Sequence, residues 1–135
     1  MPLSENINQG YKKEEYKGLA LDVYITSKDK IERSVADKEF VIGYKKIRED
    51  GSLTKKFATL MILRGYPALV LHLGEKKDKE GLQKQKKLDE KLSNTYVRNE
   101  MQINEKPHEI FIRLDWVKNL EEISPFIDEA YEKRT

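Results

Sequence analysis

The chain has 135 residues, the size of about one domain, with 37% charged and 38% hydrophobic residues and a formal net charge of +2. It has no cysteine, which excludes disulfide bonds, thiolate zinc sites and cysteine nucleophiles. Its longest largely apolar stretch, Pro67–Leu73, is far shorter than the roughly 20 residues of a membrane-spanning helix, and its first ten residues lack the pattern of a secretory signal. We therefore expect a cytoplasmic protein with one hydrophobic core and no membrane partner.

The N-terminal part begins with polar residues and then acquires helical periodicity. Residues 1–10 predict a flexible tail, and residues 11–135 predict a single domain because the chain has no internal repeat and no long linker. The following apolar residues fall at helical spacing and predict a helix over 12–26, with an apolar stripe formed by Tyr16, Leu19, Ala20, Val23 and Tyr24.

The next part of the chain has the pattern of a β-meander. From Glu39 onward apolar residues alternate with others at a period of two, which predicts a strand. Asp50 and Gly51 then mark a hairpin turn, because Asp-Gly between two β-rich segments favours a tight turn. A return strand over Lys56–Leu63 and a third strand over Ala68–Leu73 complete an antiparallel, three-stranded meander.

The second half predicts helices around one further strand. Strong helix formers indicate a helix over 80–92, and Glu109–Leu114 alternates as a strand. Between them, a short strand is expected around Val97–Ile103. Asn119, with Glu122 three residues later, is typical of the start of a helix. We expect that last helix to pack against the sheet through the stripe Leu120, Ile123, Ile127, Ala130 and Tyr131.

The predicted order of elements is α-β-β-β-α-(β)-β-α, which indicates an α+β domain. Such a chain forms an antiparallel sheet, here a β-meander plus a late strand, with helices packed mainly on one face. The hydrophobic patterns FVIGYKK, KFATLMIL, ALVLHLG and EIFIRLDWVKNLEEISPFIDEAYEKR carry this prediction.

The same four segments resemble the MmcQ/YjbR-like (CyaY-like) group of small bacterial proteins. They are also similar to the related uncharacterised domain labelled "predicted transport protein". The resemblance covers about residues 20–133. It implies a curved sheet of the YjbR-like kind, which is compared with double-wing DNA-binding domains, and it implies no known reaction.

No residue pattern indicates a catalytic or metal site. The only histidines, His72 and His108, lack the close paired ligands that metal sites usually show. The chain has no Gly-x-Ser-x-Gly turn for a nucleophile and no glycine-rich loop for phosphates. We therefore expect a protein that is not an enzyme and that needs no metal or cofactor.

The lysine-rich helix over 80–92 is one candidate binding surface. Lys84, Lys87 and Lys91 share a face at spacings of three and four residues, so they form a stripe that could contact phosphates. Acidic residues are interleaved with these lysines, and the alternative is a solvated helix face with internal ion pairs.

The sheet face opposite the helices, called the second face below, is the other candidate surface. It is expected to carry Val41, Lys45, Thr59, Met61, Val70, His72, Phe111 and Arg113. These side chains are too apolar for a face fully exposed to water, so something should cover them. The alternatives are the chain's own N-terminal helix or its Asn94–Pro107 segment, a homodimer partner, or a nucleic acid that stacks on Phe111 and places phosphates on Arg113 and Lys45.

Two functions follow as hypotheses. The first is a non-enzymatic binding module that engages nucleic acid or a protein through the second face and the lysine-rich helix, with candidate residues Lys45, Lys84, Lys87, Lys91, Phe111 and Arg113. The second is a dimeric structural or adaptor domain that mediates protein–protein interaction without nucleic acid. Salt dependence separates them, because phosphate contacts weaken steeply with salt whereas apolar dimerisation does not.

Overall fold

The computed structural model describes most of the chain after its N-terminal region. The described residues are 15–28, 30–36, 41–63, 66–74 and 79–134. The predicted tail over 1–10, the first residues of the predicted N-terminal helix and Phe40 lie outside them.

The described residues form one five-stranded antiparallel sheet with helices, which confirms the α+β class. The strands are β1 (Ile31–Ala36), β2 (Val41–Ile47), β3 (Leu53–Leu63), β4 (Tyr66–His72) and β5 (Glu109–Arg113). The helices are α1 (Glu15–Thr26), α2 (Glu80–Leu92), α3 (Glu100–Asn104) and α4 (Ser124–Lys133), with 3-10 turns at Leu114–Trp116 and Leu120–Glu122. The strands lie side by side in chain order, so the sheet is a continuous meander.

The predicted meander is confirmed, and strand β1, which was not predicted, extends it at one edge. The hairpin between β2 and β3 is tight because the Arg48 amide donates to the Ser52 carbonyl oxygen at 2.7 Å and Gly51 has a φ of +90°. β3 therefore begins at Leu53, three residues before the predicted start. Strand β1 was missed, because its sequence IERSVA carries adjacent charged and polar residues that hide the alternation of an edge strand.

Helices α1, α2 and α4 pack on one face of the sheet, as predicted, and enclose the main core. The sheet contributes Ile42, Tyr44, Phe57, Leu60, Leu69, Leu71, Ile110 and Ile112. The helices contribute Leu21, Ile25, Leu88, Leu92, Ile127 and Ala130.

The predicted stripe of α1 is wrong at Val23. This residue is 59% exposed, whereas Leu21 and Ile25 are buried. The predicted stripe residue Tyr24 does pack against the core, and the side chains of Tyr16, Leu19 and Ala20 lie outside the described residues. The segment LALDVYI is nearly continuous in apolar residues, so several phases fit its pattern equally well. The phase is fixed by Asp22, whose carboxylate accepts hydrogen bonds from the Tyr44 hydroxyl at 2.7 Å and from Arg33 Nε at 2.9 Å.

Helix α2 has the predicted bounds and lies along the outer edge of β5. Gln85 pairs with the backbone of Phe111, accepting from its N–H at 2.7 Å and donating to its carbonyl oxygen at 2.9 Å. Gly81 is also buried, whereas the neighbouring Leu82 is 36% exposed. The helix and its Gln85 side chain thus cover a sheet edge that would otherwise be open to another chain.

We predict that Gly81→Ala destabilises the protein, although alanine favours helices over glycine by about 1 kcal/mol. A Cβ at Gly81 would lie 2.5 Å from both the backbone nitrogen and the carbonyl oxygen of Glu109, so the helix must shift away from β5. Overpacking of this kind costs about 1–3 kcal/mol, which urea unfolding will measure. The matched control is the exposed Gln83→Ala on the same helix, and a stabilised Gly81→Ala would contradict the close approach.

The strand predicted around Val97–Ile103 is wrong, since this segment contains α3. Asn99 caps the helix by accepting from the Gln102 N–H at 2.8 Å, and Gln102 Oε1 accepts from the Asn99 N–H at 3.1 Å. The alternating apolar residues Val97, Met101 and Ile103 suggested a strand, but their side chains are all largely exposed.

The C-terminal helix agrees with its prediction in cap and stripe. Asn119 and Glu122 form the predicted capping box, which here starts the 3-10 turn ahead of α4. Pro125 lies in the first turn of α4, where a missing N–H has no intrahelical partner. Ile123, Ile127 and Ala130 are buried in the main core.

Candidate functional site

The chain's own segment between α2 and β5 covers part of the second face. The Tyr96 ring stacks on the Phe111 ring, with centroids 5.3 Å apart and planes 9° from parallel. Val70 completes this small cluster, and the Arg98 guanidinium lies 5.0 Å from the centroid of the Phe111 ring. The sequence left several alternatives for what covers the second face, and the structure places the Asn94–Pro107 segment over these residues.

Phe111 consequently does not present an open ring to a nucleobase. Phe111 is only 5% exposed, and the Tyr96 ring already stacks on it. Arg113 is more accessible, although its guanidinium pairs with Asp115 at 2.7 Å and lies 3.9 Å from the centroid of the Tyr66 ring. Lys45 lies on β2, opposite Lys56 of β3.

The lysine stripe of α2 faces a different part of the molecule. Lys84 forms an ion pair with Glu129 at 3.0 Å, and the Lys91 ammonium lies 5.8 Å from the centroid of the Phe126 ring. Both partners belong to α4, which packs on the helical face of the sheet. The stripe Lys84, Lys87 and Lys91 is therefore separated by the sheet edge from Lys45, Phe111 and Arg113, and the six candidates form no single surface.

A cavity of about 270 Å³ opens beside the covered part of the second face, and we call it the second-face pocket. Strands β3, β4 and β5 form its floor and α3 forms one wall. Most of the surface exposed in the pocket is apolar, although polar residues also line it. It is lined by Thr59, Met61, Val70, His72, Met101, Gln102, Lys106, Glu109 and Phe111.

The polar side of the pocket is a hydrogen-bonded chain across three strands. His72 lies between the other two members, with Nδ1 2.6 Å from Glu109 Oε2 and Nε2 3.0 Å from Thr59 Oγ1. Burial alone would raise the pKa of Glu109, but the hydrogen bond and charge of His72, with Lys106 and His108, lower it below its ordinary value. Glu109 is therefore a carboxylate that accepts from Nδ1–H.

This arrangement fixes the tautomer of a neutral His72. Because Nδ1 carries the proton shared with Glu109, Nε2 accepts a hydrogen bond from the Thr59 hydroxyl. The remaining lone pairs of Thr59 Oγ1 are then available to a molecule in the second-face pocket, which Thr59 lines.

Sequence reasoning missed this group, and the reason is geometric. His72 lies directly opposite Glu109 in the β4–β5 register, but 37 positions separate them along the chain. Only the strand pairing brings them together, and no short motif records it. The alternation that placed Thr59, His72 and Phe111 on one face was the available signal.

Two other hollows lack the features of a ligand site. The one beside the end of α2 is lined by polar residues alone: Lys86, Asp89, Glu90, Ser93, Asn94 and Thr95. At the β2–β3 hairpin, the basic groups already bind the backbone. The Lys46 ammonium donates to the carbonyl oxygens of Tyr131 and Arg134, and Arg134 Nε donates to that of Lys56.

We predict that protonation of His108 destabilises the fold in mild acid. Burial lowers the pKa of His108, even though the nearby Glu109 opposes this shift. The unfolded chain therefore takes up a proton at a higher pH than the folded protein, so stability is lost as the pH falls below about 6.5. Glu109 also stabilises the fold because its pKa is lowered. That stabilisation is lost only at lower pH, as the pH falls toward the lowered pKa.

Thermal unfolding between about pH 7.5 and pH 5.5 measures this effect. The melting temperature of the wild type should fall over this range, and that of His108→Asn should fall less. An equal fall in both proteins would show that His108 is not the group responsible. Its Nδ1 has no hydrogen-bond partner among the described residues, which agrees with a neutral ring.

Comparison with known proteins identifies no relative, because no family model, no curated protein and no solved structure matches this chain. The resemblance to the MmcQ/YjbR-like group therefore stays a prediction. Within the part of the chain that the structure describes, none of the helices has the length and apolar character to cross a membrane. The same residues contain no cluster of three or more metal-ligating side chains.

Proposed function

We propose that this protein is a binding module whose ligand occupies the second-face pocket. The observation that carries the proposal is one cavity in which apolar side chains from three strands and a helix meet the hydrogen-bonded chain Thr59–His72–Glu109. Binding pockets typically combine a largely apolar lining with a few placed polar groups. The ligand we expect is a small organic molecule rather than a macromolecule.

The volume of the pocket sets the size of that ligand. A water molecule occupies about 30 Å³ of liquid, so a cavity of about 270 Å³ corresponds to roughly nine non-hydrogen atoms. A single substituted ring or a short branched chain has this size. Molecules so small bind weakly, and binding should be followed by a method that detects weak complexes.

The methionines provide a selective test. Met61 and Met101 both line the pocket. In a protein labelled with 13C at the methionine methyl groups, small aromatic fragments should shift the Met61 and Met101 signals. Fragments that move neither of these two signals would contradict the proposal.

A pair of variants on α3 supplies the matched control. Met101 and Ile103 are both about half-exposed, but only Met101 lines the pocket. Met101→Lys should weaken fragment binding at least tenfold, as read from the Met61 signal, while Ile103→Lys should leave it unchanged. Equal affinities in the two variants would place the bound fragment elsewhere.

A homodimer is the second candidate function, and one observation favours it. Val97, Met101 and Ile103 expose 80%, 53% and 46% of their surfaces on the segment that covers the second face. Apolar side chains grouped in this way often mark a contact with another protein. Sedimentation of the wild type and Val97→Lys, in low and high salt, tests this function. A dimer that the variant abolishes would support it, and a monomeric wild type would exclude it.

Nucleic acid is the less supported ligand for this face. Lys45 and Arg113 offer positive charge there, but Phe111 is covered and the lysine stripe of α2 lies on another surface. If short oligonucleotides bind through these two residues, Arg113→Ala should flatten the salt dependence of the affinity. Absence of binding at low salt would remove this alternative, because electrostatic attraction is strongest there.

A further inference from the structure

We propose that the second-face pocket takes a small organic anion, such as an aromatic or branched carboxylate. This inference rests on the proposed function and names the chemical class of its ligand. The apolar part of the ligand would lie against Met61 and Met101, and its acid group would face Thr59 and Lys106.

Positive charge predominates at the polar side of the pocket. Lys106 lines it, and the Lys56 side chain lies close by, since a Cβ added to Gly43 would be 2.7 Å from Lys56 Cε. Gly43 is the register partner of Thr59, so the Lys56 side chain lies over the strand position adjacent to the hydroxyl. An anionic ligand would meet two ammonium groups here, with its apolar body on the floor of the pocket.

The negative charge of Glu109 does not oppose such a ligand strongly. Its carboxylate is bonded to His72 at 2.6 Å, and His108 Nε2 lies 3.9 Å from the same oxygen. Lys106 also acts on Glu109 electrostatically. These positive or hydrogen-bonding groups surround the Glu109 carboxylate, which lies on the side of His72 away from Thr59.

The hydroxyl of Thr59 can offer a hydrogen bond to a ligand in the pocket. Its proton can point either at His72 Nε2, 3.0 Å away, or at a molecule in the second-face pocket, which Thr59 lines. A carboxylate accepts such a proton, so the Thr59 hydroxyl and the Lys106 ammonium both suit an anionic ligand.

Three probes that share a phenyl ring and differ in charge test the ligand class. Benzoate has nine non-hydrogen atoms, about the number that the cavity admits at roughly 30 Å³ each. Benzyl alcohol and benzylamine supply the neutral and the cationic counterparts. Titrations of the full chain, followed by the Met61 and Met101 methyl signals, should give benzoate an affinity at least tenfold above either counterpart.

Two lysine variants separate the effect of ligand charge from the effect of ligand shape. Lys106→Gln should weaken benzoate about fivefold without changing benzyl alcohol, while Lys87→Gln on α2 should change neither.

The outcomes distinguish this inference from the function on which it rests. If benzyl alcohol or benzylamine binds as tightly as benzoate, the ligand class is wrong and the pocket remains the binding site. Benzoate binding that is unchanged by Lys106→Gln would likewise overturn the inference. If no probe moves the Met61 or Met101 signal, the proposed function fails together with it.

Discussion

Replacement of Arg98 by methionine is expected to lower the free energy of unfolding by about 3–5 kcal/mol, because buried polar groups would lose a charged partner. The Arg98 guanidinium donates to the carbonyl oxygens of Lys106 and Glu109, and to those of Gly81 and Gln102 at longer range. These acceptors lie on α2, on α3 and in the loop and strand that follow α3. A single side chain therefore joins the cover of the second face to the sheet edge.

Partial burial of the charged Arg98 side chain costs free energy, but removing the side chain costs more, because its carbonyl acceptors lose their donor. Its pKa is lowered by burial, which the charge of Glu109 partly offsets, and its Nε has no hydrogen-bond partner among the described residues. Methionine can fill the space beside the Phe111 ring, but it cannot donate to the carbonyl oxygens. The loss is a large part of the 5–15 kcal/mol that stabilises a typical domain.

Urea unfolding followed by circular dichroism measures the effect of Arg98→Met. Arg113→Met is the matched control, because it removes another guanidinium that lies over an aromatic ring, here with the exposed partner Asp115. We expect the control to lose only about 1 kcal/mol. Similar losses in the two variants would show that Arg98 does not organise this region.

Ile127→Ala should lower the free energy of unfolding by about 3 kcal/mol, within the range of 2–5 kcal/mol for large-to-small changes in a core. Ile127 is fully buried on α4, in the cluster that joins this helix to the sheet. Its removal costs both the burial of the lost methyl groups and the cavity left behind. The same urea measurement applies, with the exposed Glu132→Ala on α4 as the control.

A loss below about 0.5 kcal/mol for Ile127→Ala would contradict this account of α4, because such a value is typical of surface positions. The variant also tests whether the predicted stripe of the C-terminal helix was read correctly from the sequence. Pro125 does not interrupt the stripe, since it lies in the first turn of α4 and removes no interior hydrogen bond.

Regular patterns made much of this fold predictable. The alternation in β2–β5 and the capping box Asn119–Glu122 each depend on residues close in sequence, and the structure contains both. The polar edge strand β1 and α3 were missed for the opposite reason. Val97, Met101 and Ile103 imitate a strand, and the hydrogen bonds that decide the matter come from Asn99 and Arg98.

The candidate site was less predictable than the fold. Alternation correctly placed Thr59, Met61, Val70, His72 and Phe111 together, since all five line the second-face pocket. It could not show that Tyr96 covers Phe111, because that contact depends on the path of a loop. Nor could it show that Lys84 and Lys91 face α4, because helix packing decides which side of α2 is turned toward a neighbour.

A crystal structure of the protein with benzoate tests the pocket most directly. We expect α3 over the second face, with the ring against Met61 and Met101 and the carboxylate within hydrogen-bond distance of the Thr59 hydroxyl and the Lys106 ammonium. His72 should remain between Thr59 and Glu109. Density for benzoate at another surface, with an empty second-face pocket, would contradict the account, as would a segment 94–107 that leaves Phe111 open to solvent.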